Sequence, residues 1–139
     1  IYRSANVGVT ANFAINTFTL DYAANAGGSL TGNAAQVVDY DTSGTAVTAV
    51  PDAGYSFVDW SDASAVNPRT DINVQANVSV TANFAINTFT LDYAANAGGS
   101  LTGNAAQIVD YVSSGTAGPA VPDAGYSFVH RSDASTVYP

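Results

Sequence analysis

The stretch Thr10–Gln36, TANFAINTFTLDYAANAGGSLTGNAAQ, recurs without a change as Thr81–Gln107. Around it, residues 5–68 match residues 76–139 at a fixed offset of 71, with ten differences over 64 aligned positions. Self-similarity at a fixed period marks a repeat array and outranks any local motif. A length of 139 residues then parses as two small modules, each near the lower size limit for an independent core.

Strand signals dominate the repeat unit. In Phe18-Thr-Leu-Asp-Tyr22 large apolar residues alternate with Thr and Asp, the pattern of a half-buried strand. The longest alternation runs Ile72, Val74, Ala76, Val78, Val80, Ala82 and Phe84, which reads as one long strand with a buried face. Gln36–Tyr40, Thr45–Val50 and Tyr55–Trp60 are shorter candidates. Turns are expected at Ala26–Ser29, Thr42–Gly44 and Pro51–Gly54, where Gly supplies positive φ and Pro presets the first turn position. No sustained apolar spacing of three and four is present, so little helix is expected. The fold class is mainly β: tandem small antiparallel modules, β-sandwich-like or β-grasp-like.

The period has no phase of its own. Taking the Phe18 strand as first and the Ile72–Phe84 strand as last makes residues 15–85 a complete module. Residues 86–139 then form a second module lacking its last strand, and residues 1–14 are an orphan last strand. In that orphan, Val7, Val9, Ala11 and Phe13 repeat Val78, Val80, Ala82 and Phe84. Only the counterpart of Arg69-Thr70-Asp71 is missing from it. The chain starts at Ile1 rather than Met, as expected of a processed product or an excerpt of a longer one.

Composition narrows the function. The acidic residues are eleven Asp, and the only cationic side chains are Arg3, Arg69 and Arg131, giving a net charge of −8. That balance disfavours nucleic acid, whose affinity comes largely from Lys and Arg against phosphate. Acidic membrane surfaces are disfavoured likewise, and no apolar run is long enough to span a bilayer. There is no Cys, so disulfides and thiolate metal sites are excluded. The absence of Met as well removes the most easily oxidised side chains, which suits an extracellular life.

Three segments carry a family resemblance: Gly54-Tyr-Ser-Phe-Val-Asp-Trp-Ser-Asp62, then Asn67-Pro68, then Val78-Ser-Val-Thr-Ala-Asn-Phe84. Together they resemble the divergent internalin B-repeat family of bacterial surface proteins. The resemblance implies a small β-rich module strung in tandem as spacer or adhesive stalk, with no catalytic residues. The second copy departs from the pattern, with His130-Arg131 in place of Asp59-Trp60 and Tyr138 in place of Asn67.

Residues able to carry chemistry are few. His130 is the only His, and without Cys, Lys or Glu no nucleophile–base–orienter set can be built in the first module, so no enzyme is expected. Asp39-x-Asp41 and Asp59-x-x-Asp62 are weak calcium candidates, but their second-copy equivalents are Asp110-x-Val112 and His130-x-x-Asp133. Calcium demands six or more oxygens, so no cofactor is expected. Tyr55 and Phe57 share a strand face, the spacing of core residues, which leaves Trp60 as the best exposed aromatic. Asn77-Val78-Ser79 is the one N-glycosylation sequon, broken by Gly8 in the N-terminal copy.

Two functions compete. The first is a non-catalytic, secreted or cell-surface structural repeat that forms filaments with copies of itself. Residues 1–14, through Val7, Val9, Ala11 and Phe13, would complete the next subunit's second module head-to-tail. Folding back within one chain would satisfy the same edge. The second is an adhesin that grips a glycan or a host surface protein through loops around Trp60 and Tyr55.

Overall fold

The computed structural model describes residues 4–133. These include 4–14 of the segment expected as an orphan strand, where no strand forms, and 86–133 of the expected second module, while Tyr138 lies outside the described residues. The first module contains six strands: β1 (Thr17–Ala24), β2 (Gly28–Thr31), β3 (Ala35–Asp39), β4 (Thr48–Pro51), β5 (Tyr55–Trp60) and β6 (Val78–Ile86). Four of them form one sheet in the order β3-β1-β6-β5, and β2 pairs with β4 as a separate ribbon. There is no helix among the described residues.

The sheet is mixed rather than wholly antiparallel. β1 runs antiparallel to β3 and parallel to β6, with Leu20 opposite Val78 and Tyr22 opposite Val80. First and last strands thus lie side by side at the centre of the sheet, a grasp-like layout rather than two facing antiparallel sheets. A parallel pair needs a crossover between its members. Here β2 to β5 and their loops supply it.

Alternation builds the core. Leu20 and Tyr22 from β1, Val80 and Ala82 from β6, Ala49 from β4, and Trp60, Val47 and Val74 form one buried cluster. Phe18, Phe57 and Phe84 pack against its margin. The polar exceptions in this module are Arg69 and Gln36; the Gln36 side-chain amide donates to the carbonyls of Asn33 and Thr45 and accepts from the Thr45 N–H. The Gln36 side chain therefore closes the loop after β3, and among the described residues no buried side-chain polar atom lacks a partner.

Two expectations are corrected. The long strand expected from Ile72 to Phe84 begins only at Val78. Asn73 takes a positive φ of 50°, which breaks the extended run, and Ile72 is exposed. Residues 69–74, ahead of β6, instead bridge the segment between β3 and β4, with Val47 opposite Arg69 and Thr42 opposite Val74. The short strand β2 overlaps the turn expected at Ala26–Ser29 and runs on to Thr31, where no strand was expected.

The second module repeats half of this plan. β7 (Thr88–Asp92) pairs with β9 (Ala106–Asp110), and β8 (Gly99–Leu101) with β10 (Ala120–Pro122). The β7–β9 register repeats that of β1–β3, and Gln107 makes the bonds of Gln36. However, β7 stops at Asp92 whereas β1 continues to Ala24, and residues 126–131 are not a strand. Both differences sit where β6 lies in the first module.

Candidate functional site

The geometry of β6 defines the site. Its Val78, Val80 and Ala82 lie beside Leu20, Tyr22 and Ala24 of β1, and its other edge pairs with β5 from Tyr55 to Trp60. Polar side chains fix the register: Asn77 Oδ1 accepts the Thr19 N–H at 3.0 Å. Asn83 accepts from Asn25 at 2.7 Å and donates to Asp59 at 2.8 Å, tying both neighbouring strands to β6. The Phe84 ring lies over Gly28, where an added Cβ would collide with it. It meets Phe57 edge-on at 6.1 Å.

The second module has a groove in the same place. Its volume is about 810 Å³, and it lies between residues 92–101 on one side and 126–133 on the other, with Ala120–Pro122 also lining it. Shifted back by 71, these are the residues around β6. Gly99, the counterpart of Gly28, has no aromatic ring over it.

Residues 6–16 match β6 and its flanks, belong to no strand, and are exposed throughout. Val9 is 87% exposed and Phe13 94%; Val7 and Ala11 are exposed too. A segment with the alternation of a buried strand thus lies on the outside, in the same chain as a groove lined by counterparts of that strand's neighbours.

Trp60 is where the structure departs most from the sequence reading. It is fully buried, so it offers no surface to a ligand. The cause is a β-bulge between Phe57 and Asp59: Val58 is the extra residue, which turns Trp60 onto the same face as Phe57. The indole N–H donates to the Val66 carbonyl at 3.0 Å, and the ring meets Tyr22 and Phe57 edge-on, each at 5.9 Å. Tyr55 is half-buried, its ring over Gly27.

An ion-pair cluster beside Trp60 was not anticipated. Arg69 is nearly buried, with its guanidinium 5.7 Å from the indole centroid. It bonds both Asp71 oxygens, at 2.8 and 2.9 Å, and Asp62 at 2.7 Å, while the Tyr22 hydroxyl donates to Asp71 at 2.7 Å. The Arg69 guanidinium holds the Asp71 carboxyl below the usual carboxylate range, against the opposing effect of burial. Burial, and then the bond to Asp71, raise the Tyr22 hydroxyl above its ordinary value. The available signal was Arg69-x-Asp71 in an otherwise Lys-free module.

The calcium candidates are occupied otherwise. Asp62 pairs with Arg69, Asp59 accepts from Asn83, and Asp41 accepts from Gln75 at 3.1 Å. Among the described residues, no three acidic or His side chains converge on a point.

In the second module Arg131 takes the place of Trp60. Its guanidinium lies 5.9 Å from the Tyr93 ring and donates to the Gly118 carbonyl at 3.2 Å. Gly118 stands where the first module has Val47, whose carbonyl accepts the Arg69 backbone N–H. The Arg131 side chain therefore serves the carbonyl that a residue at the Arg69 position would serve.

Taken together, these features define a small β-repeat module whose last strand lies at the centre of its sheet. The chain matches the divergent InlB B-repeat domain over residues 18–88, a span equal to the 71-residue period, and it belongs to that family. No curated protein and no solved structure matches it significantly. Among the described residues, no helix is long and apolar enough to cross a membrane.

Proposed function

We propose that the chain is a non-catalytic structural repeat of a secreted or cell-surface protein that assembles head-to-tail by strand donation. Residues 7–13 of one copy enter the groove of the next copy's second module. They take there the place that β6 takes in the first module. One observation supports this reading: the groove is bounded by the counterparts of the residues around β6, and the segment that matches β6 in sequence lies exposed and unpaired with any strand. The β1–β6 register, shifted by 71, puts Val7 opposite Leu91, Val9 opposite Tyr93 and Ala11 opposite Ala95. Phe13 then covers Gly99 as Phe84 covers Gly28.

The physics favours occupancy. An unpaired strand edge beside apolar side chains is a template for a further strand. Burying Val7, Val9 and Phe13 contributes about 1.5–3 kcal/mol each. Ordering the donated segment costs about 1–2 kcal/mol per residue, a total of the same size as that gain, so the backbone hydrogen bonds of the paired edge are needed as well. Because the joint is heterologous and does not close on itself, it propagates as a filament.

The same reading accounts for Arg131, which serves the Gly118 carbonyl with no need of an Arg69 counterpart in the donated strand. An adhesin centred on Trp60 has less support, since that ring is enclosed. Catalysis has little as well: His130 directs Nδ1 at the neighbouring Arg131 carbonyl, 2.9 Å away.

Electron microscopy tests the proposal, comparing the full chain with a version lacking residues 1–14. Filaments are expected from the full chain only, and a synthetic peptide spanning Ala5–Ala14 should shorten them by capping grooves. Filaments from the shortened chain, or single particles from the full chain at every concentration, would overturn it.

A further inference from the structure

The junction between the two modules is short and specific. β6 ends at Ile86 and β7 begins at Thr88, leaving Asn87 alone between them. Asn87 donates its N–H to the Gly54 carbonyl and accepts the Tyr111 N–H, each at 2.8 Å. Its side-chain oxygen accepts from the Ser56 hydroxyl. The Tyr111 ring lies over Gly54 so closely that an added Cβ there would collide with it. A tyrosine of one module thus rests on a turn glycine of the other, and the bonds of Asn87 fix the angle between them.

Both halves of this junction recur unmated at the outer sides of the pair. Gly125 has the φ of Gly54, 85° against 81°, but nothing lies within 4 Å of where its Cβ would be. Tyr126 beside it is 63% exposed, whereas Tyr55 is half-buried. At the opposite side, Tyr40 donates its N–H to the Asn16 carbonyl at 2.8 Å and leans on Phe18 at 6.4 Å. Tyr111 does the same with Asn87 and with Phe89, at 6.5 Å.

We infer that the Gly125 turn of one copy seats against Tyr40 of a second copy of this chain, reproducing the Gly54–Tyr111 junction. The inference rests on the strand-donation reading. A strand ending at Phe13 delivers Asn16 to the Gly125 turn, as β6 delivers Asn87, three residues after Phe84, to the Gly54 turn. In the joint, Asn16 donates its N–H to the Gly125 carbonyl, and the Ser127 hydroxyl donates to the Asn16 side chain. The contact is small, since Tyr111 stays 42% exposed within its own junction. Its role is to set the angle between successive modules, so that the donated joint and the internal joint have the same geometry.

Photo-crosslinking separates this inference from the reading beneath it. Three full-length variants carry p-benzoylphenylalanine at Tyr40, at Val9 or at Tyr111, each mixed with isotope-labelled wild-type chain and irradiated. The Tyr111 probe is the control and should mark the Gly54 turn of its own chain. The Tyr40 probe should mark residues 123–127 of the labelled chain, and the Val9 probe residues 91–95 of the labelled chain. The two glycine turns are told apart by their downstream residues, Asp59-Trp60 after Gly54 and His130-Arg131 after Gly125. A Val9 crosslink to the labelled groove with loss of the Tyr40 crosslink would refute the Tyr40–Gly125 joint and leave strand donation standing. Absence of both, or a Val9 crosslink confined to its own chain, would remove strand donation and the joint with it.

Discussion

Replacing Trp60 by Ala should nearly unfold the first module. The side chain is fully enclosed and meets Tyr22, Phe57 and the Arg69 guanidinium. Truncating a buried Trp to Ala costs about 3–5 kcal/mol through lost transfer energy and the cavity left behind. The change also leaves the Val66 carbonyl without its indole donor. Domains of this size have a total stability of about 0.05–0.15 kcal/mol per residue, or roughly 4–10 kcal/mol per module. A loss near 4 kcal/mol therefore consumes much or all of it. Urea unfolding followed by near-ultraviolet circular dichroism of the tyrosines measures the change, with amide exchange showing which module is affected. Slowed exchange in β1 and β3 should be lost while β7 and β9 keep theirs, and Trp60→Phe should cost about half as much. A Trp60→Ala variant destabilised by less than 1 kcal/mol would refute the packing argument and return the indole to a surface role.

The polar groups and one tight glycine supply the remaining tests. Asp71 has a depressed folded-state pKa, so its contribution is present at neutral pH. It falls away once pH drops below the unfolded carboxylate value of about 3.9 and is lost as pH passes through the folded value. Acid titration of stability should show this loss in wild type and a flattened acid limb in Asp71→Asn. Tyr22 has a raised folded-state pKa, so its contribution is intact below the unfolded value of about 10 and is lost as pH rises through the folded one. Tyr22→Phe should remove that alkaline limb in the same measurement. Arg69→Met strands Asp71 and should cost about 3–5 kcal/mol, while pairing it with Asp71→Asn should recover much of that in a double-mutant cycle. Gly44→Ala places a Cβ 2.5 Å from Leu20 Cδ1 and 2.8 Å from Gln36 Oε1, so thermal unfolding should report about 1–3 kcal/mol of destabilisation from overpacking.

Repeat symmetry made much of this protein legible in one dimension. The offset of 71 gave the repeat period, and local patterning located β1, β3 and β5 to within two residues at each end. The offset also showed that residues 7–13 repeat the sequence of Val78–Phe84 but for Gly8 in place of Ser79. Family membership was readable too, from Gly54–Asp62 and Val78–Phe84.

What the sequence left undecided depends on contacts between distant residues. Alternation gives a strand its two faces but not its neighbour, so the parallel pairing of β1 with β6 emerged only once the intervening strands had folded across. One extra residue at Val58 reversed the face on which Trp60 lies, and a period-two reading has no means of anticipating a bulge. Arg69, Asp62, Asp71 and Tyr22 converge from three separate segments, and nothing in their spacing fixes that meeting. An unpaired edge beside β7 and a β6-like segment at residues 7–13 were individually implied by the repeat. That the groove is bounded by the counterparts of the residues around β6 was decided by tertiary structure, because a slot exists only where separate strands hold its walls apart.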